Sequence, residues 1–344
     1  VVEKDLKGAP FEKKLVTRTY EDIAIAPLYT DRDWSGEGDP SGFPGFLPTT
    51  RAARALGNAV CGRDIQQEHK HPDPATTNAA ILTDLQRGCT SIAIQFDAAG
   101  RAGLDPTDAT GRRLAGREGV MIYRHTDLQS ALAGMHLAAA GVSIYPGAAM
   151  LGGAAMLIHQ WNQSSANMKD VAGAFNADPL GVLARSGSLP GSIGQAMQQM
   201  VALAQWANKH TQFVTAAQVD TSIYHEAGAH AAQDLAFSMA TGLSYLRAMV
   251  DAGMSVDDAA AQIRFSFSLG CNFFLATAKL RAARKLWAGI LKQCGAANPQ
   301  ERMKIHARTS RRVMTQRDPW VNLLRNTVCN FAGAVGTADV ITTE

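Results

Sequence analysis

Residues 303–322 read MKIHARTSRRVMTQRDPWVN, and this stretch decides the interpretation of the whole chain. Residues 303–309 are a strand candidate, and a helix with apolar residues at helical spacing is expected near 318–334. A basic loop lies between them. A strand, a loop and a helix in this order form the repeating unit of an α/β fold.

The same alternation of strands and helices continues back along the chain to residue 91. Further strand candidates lie at 91–96, 141–146, 170–176, 217–224, 261–268 and 338–342, and helices are expected near 76–87, 126–139, 148–162, 191–210, 226–252 and 271–294. This alternation predicts parallel strands joined by helical crossovers. Seven strands are one fewer than a closed (β/α)8 barrel requires.

The first part of the chain has a different composition. It combines a helical start at 3–14 and a short strand at 23–25 with a Gly- and Pro-rich stretch at 35–48. Because prolines and glycines oppose regular structure, this segment cannot bury much of itself. We therefore expect an extended N-terminal arm over 1–75 that wraps a partner surface, followed by a barrel over 76–344.

Composition and charge exclude several classes of partner. The 344 residues carry 33 basic against 30 acidic side chains, a net charge of +3 that gives no reason to expect nucleic acid or a membrane surface as partner. No apolar run approaches the ~20 residues needed to cross a bilayer. The five cysteines form no CxxC pair, which favours a reducing, cytoplasmic location over a disulfide framework.

The opening stretch resembles the sixth barrel strand and following loop of the coenzyme-B12-dependent acyl-CoA mutases. Catalytic members of that family carry a pattern close to HTQTSGxSLTAQxPxNN. In this chain Arg308 replaces the Gln of that pattern and Arg311 replaces its Gly. The pattern RTSRRxMTxRDPWVN instead resembles the small, non-catalytic subunit of heterodimeric methylmalonyl-CoA mutases.

Other blocks resemble the same family in the same order along the chain. They are TYEDIAIAPLYTDRD (19–33), FPGFLP (43–48), EHKHPDPATTNAAILTDLQRG (68–88), AGAFNADPLGVLARSGSLP (172–190), DTSIYHEAGAHAAQDLAF (220–237) and CNFFLATAKLRAARKLWA (271–288). The NADPLG core is similar to the small subunit, because catalytic subunits carry an IQND-like sequence there. Agreement over nearly the whole chain makes chance similarity an inadequate explanation.

The resemblance implies a fold, a reaction and a partner. In this family a (β/α)8 barrel encloses the acyl-CoA, and adenosylcobalamin supplies the radical that interconverts methylmalonyl-CoA and succinyl-CoA. The cobalamin-binding domain with its DxHxxG motif is absent from these residues, so the cofactor is expected on a homologous catalytic large subunit. The family's greater length also leads us to expect a truncated barrel.

The family's polar site residues are mostly replaced in this chain. Asn58 falls where catalytic subunits place a Tyr, and Asn176 falls where their third strand carries a Gln. The acidic position that faces the adenosyl group falls at Leu275 and Ala276, which carry no charge. With Arg308, these positions predict a degenerate site, because such a site must stabilise its substrate through polar contacts.

The catalytic His has two possible alignments. Matching the EAGA sequence places Ile223 at the His position, whereas matching the YH sequence retains His225. We prefer the first alignment, since it needs no deletion within a barrel strand. We therefore predict no catalytic residue on this chain, which would be a structural subunit of an isomerase.

Two other functions remain open at this point. One is a competent mutase for another acyl-CoA, which would use His225. The other is a non-enzymatic binder of acyl-CoA or another anion, with the arginine-rich mouth as its site. In the small-subunit interpretation, Arg308, Arg311, Arg312 and Arg317 are instead expected to pair with acids or to fill the pore.

Three further clusters have plain structural interpretations. His225-Glu226 with His230 resembles a zinc motif, but the second His lies at i+5 rather than i+4, so no metal is expected. A second cluster, Glu68, His69 and His71, is interpreted as part of a solvated loop. The third comprises Lys279, Arg281, Arg284 and Lys285, and is interpreted as a solvated helix face.

Overall fold

Eight parallel strands form a closed barrel in this computed structural model, which describes residues 2–34, 36, 39–58, 62–164, 166–299 and 303–344. The described strands are β1 (Thr17–Arg18), β2 (Ala24–Ile25), β3 (Asp64–His69), β4 (Ser91–Gln95), β5 (Gly141–Tyr145), β6 (Ala172–Ala177), β7 (Phe213–Asp220), β8 (Ile263–Leu269), β9 (Lys304–Thr309) and β10 (Val340–Thr342). Strands β3 to β10 follow one another around the barrel, and β10 closes it against β3. The predicted (β/α)8 fold is confirmed.

Helices connect the barrel strands, as the strand–helix alternation predicts. The described α-helices are α1 (Val2–Asp5), α2 (Phe11–Leu15), α3 (Pro74–Gln86), α4 (Ala98–Arg101), α5 (Ala109–Leu114), α6 (His125–Ala131), α7 (Met150–Gln163), α8 (Pro179–Ser186), α9 (Ile193–His210), α10 (Ser222–Glu226), α11 (Ala231–Asp251), α12 (Val256–Ala261), α13 (Phe273–Gln293) and α14 (Val321–Val335). None of the helices in the described ranges is both long enough and apolar enough to cross a bilayer.

The strand count of seven is wrong, and the eighth strand is β3. Its residues 64–69 belong to the barrel rather than to the arm, because they pair with both β4 and β10. The sequence DIQQEH hides this strand, since it contains only one apolar residue. The barrel is therefore complete among the described residues, so the expectation of a truncated barrel is also wrong.

Strand β7 ends earlier than its sequence suggests. The predicted strand covers 217–224, but β7 ends at Asp220 and a short helix, α10, begins at Ser222. The carboxylate of Asp220 accepts a hydrogen bond from the Ser222 backbone N–H at 3.0 Å. A short-range bond of this kind favours a turn over continued strand pairing. Ile223 and His225 therefore lie on a helix rather than in a barrel strand.

The apolar core lies between the strands and the surrounding helices. Trp287 on α13 packs edge-on against Phe265 on β8, with ring centroids 4.8 Å apart. On α11, Gly242 permits this close approach, because a Cβ added there would lie 2.7 Å from Phe265 Cζ and 3.1 Å from Trp287 Cζ3. The outward side chains of the strands thus hold the helices by close apolar packing.

The described residues before β3 have little regular structure. The predicted helix at 3–14 is two short helices, and the strand expected at 23–25 pairs only with β1. Within the Gly- and Pro-rich stretch, Ser35, Glu37 and Gly38 lie outside the described residues, as does Cys61. Several hydrogen bonds tie this segment to the barrel, and two of them involve backbone N–H groups. The Glu21 carboxylate accepts from the Ala231 N–H at 2.8 Å, and the Thr337 hydroxyl accepts from the Ala52 N–H at 3.0 Å.

Candidate functional site

The space enclosed by the strands is filled by polar side chains. Gln66 on β3 donates to the Ser143 hydroxyl on β5 at 3.2 Å, although β4 lies between these two strands. Arg264 on β8 likewise donates to the side-chain oxygen of Asn176 on β6 at 2.7 Å. Only side chains that point into the barrel can join strands that are not neighbours. The interior is therefore a hydrogen-bonded layer instead of an apolar one.

Asn176 has a structural role in this layer. Its backbone φ is 52°, and the pairing of β6 with β7 shifts register between Ala174 and Ala177. Such an irregularity re-aims a side chain. The Asn176 amide donates to the carbonyl of Ile144 at 2.9 Å while its oxygen accepts from Arg264. Both ends of the amide are thus used within the protein.

His306 on β9 is a second fully bonded member of the layer. Its Nδ1 lies 3.0 Å from the Ser266 hydroxyl, and its Nε2 lies 2.8 Å from the Thr342 hydroxyl. Burial and the nearby charge of Arg264 place the pKa of His306 well below its usual value. The ring is therefore neutral, with one nitrogen donating and the other accepting.

An ion cluster lies above this layer, toward the carboxyl ends of the strands. The Arg308 guanidinium donates to Glu68 at 2.6 Å and to Glu344 at 2.8 Å. Lys70 lies 2.6 Å from Glu68, and Arg311 lies 3.0 Å from Glu344. The prediction that the arginines pair with acids is confirmed for Arg308 and Arg311. We call these five residues the interior ion cluster.

The charges of this cluster shift the pKa of its members. Burial alone would lower the pKa of Arg308. The carboxylate of Glu68 beside it and the other nearby acidic groups outweigh this effect and raise the pKa above its usual value. Burial alone would raise the pKa of Glu344, but the charges of Arg308 and Lys70 outweigh it and lower the pKa to about 2. Arg308 and Glu344 are therefore both charged at neutral pH, and each lies within hydrogen-bonding distance of the other.

His225 lies beside this cluster on α10. It is buried, and its Nε2 lies 2.8 Å from the hydroxyl of Ser310. Burial, together with the charges of Lys279 and Arg312, lowers the pKa of His225 to about 3. Arg312 also donates to the His225 carbonyl at 2.6 Å. The ring is neutral and is engaged with the loop that follows β9.

The remaining predicted site residues do not converge on one place. Ile223 is half-buried on α10, while Leu275 and Ala276 lie in the first turn of α13. Asn58 is far from them in the fold, because its amide donates to the carbonyl of Ala338 at 2.7 Å, just before β10 begins. It thus lies at the amino end of the barrel, whereas the others follow the carboxyl ends of strands.

Two plain interpretations of the sequence are wrong in part. On β3, His69 is buried and the Glu68 side chain is only 4% exposed, whereas His71 is exposed. On α13, Lys279 and Arg284 are buried, whereas Lys285 is exposed. Lys279 bonds to Asp234 at 2.6 Å, and Arg284 bonds to the carbonyl of Met303 at 2.7 Å.

Sequence reasoning missed three members of the ion cluster. It gave Glu68, Lys70 and Glu344 no role in the site, although they surround Arg308. One signal was available for Glu68: a buried arginine requires an acidic partner on a facing strand. The closure of β10 against β3, which brings the partners together, cannot be read from local sequence.

Comparison with known proteins identifies the family. The family model described as methylmalonyl-CoA mutase matches residues 18–344. This chain belongs to the methylmalonyl-CoA mutase family. It is 38% identical to the methylmalonyl-CoA mutase small subunit of Streptomyces virginiae over 98% of this chain and 50% of that protein.

Other members of the methylmalonyl-CoA mutase family are similar over the same extent. The small subunit of Propionibacterium freudenreichii subsp. shermanii is 30% identical, over 99% of this chain and 49% of that protein. The methylmalonyl-CoA mutase large subunit of Porphyromonas gingivalis is 28% identical, over 97% of this chain and 47% of that protein. The chain spans about half the length of these relatives.

Proposed function

We propose that this chain is the barrel of the small subunit of a heterodimeric methylmalonyl-CoA mutase, and that its role is structural. The holoenzyme would interconvert methylmalonyl-CoA and succinyl-CoA with adenosylcobalamin, which is expected on a homologous catalytic large subunit. The observation that carries the proposal is the interior ion cluster. Arg308 stands where catalytic members carry a Gln, and it is bound to Glu68 and Glu344.

The filled interior argues against an acyl-CoA inside this barrel. Binding an acyl chain along the axis would require breaking buried ion pairs, and leaving one such charge without its partner costs ~3–5 kcal/mol. The carboxyl end of the barrel also does not fit the adenosyl group, because the side chains of Leu275 and Ala276 cannot make a polar contact with that group. We therefore derive no catalytic step on this chain.

The arm supports the pairing part of the proposal. Large apolar side chains are exposed throughout the described residues before β3, among them Tyr20, Leu28, Tyr29, Trp34, Phe43 and Phe46. A segment that exposes many large apolar side chains is a candidate for a protein–protein interface. The homologous large subunit is the partner expected to cover it.

The test is light scattering after size exclusion, on this chain mixed with its candidate catalytic subunit. We expect a stable one-to-one complex. Leu28→Ser in the arm is expected to weaken the complex, whereas Phe213→Ser, at a half-exposed position at the start of β7, is the matched control. If the chain stays alone, or if both variants weaken the complex equally, the pairing proposal is contradicted.

Turnover of the complex tests the absence of a catalytic role. The variant His225→Gln keeps a side chain that can bond to Ser310, and we expect it to leave kcat within about twofold of the parent. A general acid or base contributes roughly 10²- to 10⁴-fold, so a loss of about 100-fold would favour the rival function in which His225 is catalytic. Saturable CoA binding by the isolated chain would favour the anion-binding rival.

A further inference from the structure

Two cysteines meet where the loop after β8 packs against α14. Cys271 is exposed and directly precedes Asn272, the N-cap of α13, whereas Cys329 is buried on α14. Two residues after each cysteine, the rings of Phe273 and Phe331 stack with centroids 5.3 Å apart and planes 16° apart. The two segments therefore run side by side at this point.

A second contact lies on the other side of the cysteines. Leu269, at the end of β8, places its Cδ1 3.3 Å from the position that a Cβ on Gly333 would occupy. Helices α13 and α14 also pack against each other along their length. Contacts before and after Cys271 thus hold its loop against the turns of α14 that follow Cys329.

The two thiols lie close enough for the sulfur of Cys271 to influence that of Cys329. Burial raises the pKa of the Cys329 thiol to about 12, and the sulfur of Cys271 adds to this effect. Cys329 is therefore protonated and shielded, while Cys271 is the thiol that a reagent in solution meets first. An exposed cysteine beside a second, resolving cysteine is the usual arrangement of a redox-sensitive pair.

We propose that Cys271 and Cys329 form a redox-sensitive dithiol that a low-molecular-weight disulfide, such as oxidised glutathione, converts to an intramolecular disulfide. The Cys271 thiolate attacks one sulfur of the small disulfide, whose S–S bond breaks and releases one thiol. Cys329 then loses its proton and attacks the Cys271 sulfur, releasing the second thiol. The protein loses two electrons and two protons, and the small disulfide gains them.

The disulfide would change the carboxyl end of the barrel. It would join the loop after β8 covalently to the last helix and close the chain between residues 271 and 329. Such a crosslink restricts the unfolded chain and slows separation of the two segments. In a reducing compartment the pair stays as two thiols, so the crosslink would form only when the glutathione pool becomes oxidised. This inference does not depend on the proposed function.

The experiment equilibrates the full chain with defined ratios of reduced to oxidised glutathione, followed by acid quenching and peptide mapping by mass spectrometry. We expect a crosslinked peptide containing Cys271 and Cys329, whose fraction rises as the ratio falls, and a higher Tm for the oxidised protein. Cys294→Ser, at an exposed position, is the matched control and should leave the crosslink unchanged. Cys271→Ser should abolish it.

The proposal is overturned if Cys271 carries only a glutathione adduct at every ratio. It is also overturned if the crosslink joins any other pair among the five cysteines. The parent protein alone decides between these outcomes, so a folding defect in a Cys329 variant would not affect the test.

Discussion

The two layers of this barrel differ in chemistry. Between the strands and the helices most side chains are apolar, as Phe265 and Trp287 show. Inside the strands they are polar or charged, from Gln66 through His306 to Arg308. Both layers are buried, but apolar packing depends on shape, whereas buried ions depend on every partner being present.

The difference shows how one barrel can keep its fold while its interior changes. The outer layer attaches each helix to the barrel, so it sets the architecture. The interior side chains do not attach the helices, so a family member that binds no acyl-CoA can fill its interior with paired charged side chains. Each added charge then requires a partner, as the Arg308 contacts with Glu68 and Glu344 illustrate.

Removing one partner from the interior ion cluster is expected to have the largest effect on stability. Arg308→Met leaves the buried Glu68 carboxylate and the partly exposed Glu344 carboxylate with less compensation, so we expect the free energy of unfolding to fall by ~3–5 kcal/mol. Denaturant unfolding measures this loss. The matched control is Arg311→Met, which removes a half-exposed arginine of the same cluster and should cost less than ~1 kcal/mol.

A double variant sharpens the same comparison. Arg308→Met combined with Glu68→Leu removes one uncompensated carboxylate along with the guanidinium. We expect the double variant to be more stable than Arg308→Met alone, with a coupling of at least ~1 kcal/mol. If the losses from the two single substitutions simply add in the double variant, the cluster does not act as a unit. The inner layer would then respond to substitution in the same way as the outer layer.

The outer layer is expected to respond through packing alone. Leu157 on α7 is fully buried, so Leu157→Ala should cost ~2–5 kcal/mol through lost burial and a cavity. Leu151→Ala, at an exposed position on the same helix, should change stability by less than ~0.5 kcal/mol. Unlike the loss from Arg308→Met, this loss should not vary with salt or pH, and a clear dependence on either would contradict the distinction.

Most of the outer layer could be predicted from the sequence. Helices such as α9 and α13 carry apolar residues at helical spacing, and strands such as β8 are rich in apolar residues, so local patterns are enough to locate them. The family resemblance added the barrel architecture, but local patterns located only seven of the eight strands, so a truncated barrel was expected instead of the closed one. The residues that pack helices against strands can thus be identified from short stretches of sequence.

The buried charged residues of both layers could not be predicted in the same way. Glu68 and Lys279 look solvated in sequence because both are charged, and only distant partners make their burial tolerable. Those partners come from other strands or helices, so no local window contains them. The end of β7 was missed for a local reason, since the Asp220 turn was not recognised.

Acid is expected to weaken the inner layer. The folded pKa of Glu344 is about 2, below its ordinary value of 4.5. Its contribution is therefore complete above pH ~4.5 and is lost as the pH falls toward about 2, by on the order of 1–2 kcal/mol because solvent partly screens this carboxylate. Unfolding measured from pH 6 downward should be less acid-sensitive in Glu344→Gln. Glu118→Gln, at an exposed ion pair with Arg101, should behave like the parent.

Asp178 in the outer layer also makes stability depend on pH, and its effect has the opposite sign. Burial raises the pKa of Asp178 to about 7, although its carboxyl group accepts hydrogen bonds from Tyr245 and from the Gly181 N–H. A raised pKa means that the protonated form favours the folded state, so this contribution is present below pH ~4 and is lost as the pH rises toward 7.

Asp178→Asn should remove that pH dependence, since the amide carries no titrating proton. Its oxygen can still accept from Tyr245 and from the Gly181 N–H, whereas the bond from the Asp220 N–H to the other carboxylate oxygen is lost at every pH. Between pH 5 and pH 8 we expect the parent to lose on the order of 2 kcal/mol that the variant keeps. The control is Asp251→Asn, an exposed position at the end of α11. Parallel pH profiles for the parent and Asp178→Asn would show that the buried carboxyl does not titrate in this range. In that case, of these two groups only Glu344 would make the free energy of unfolding depend on pH, through the loss of stability in acid.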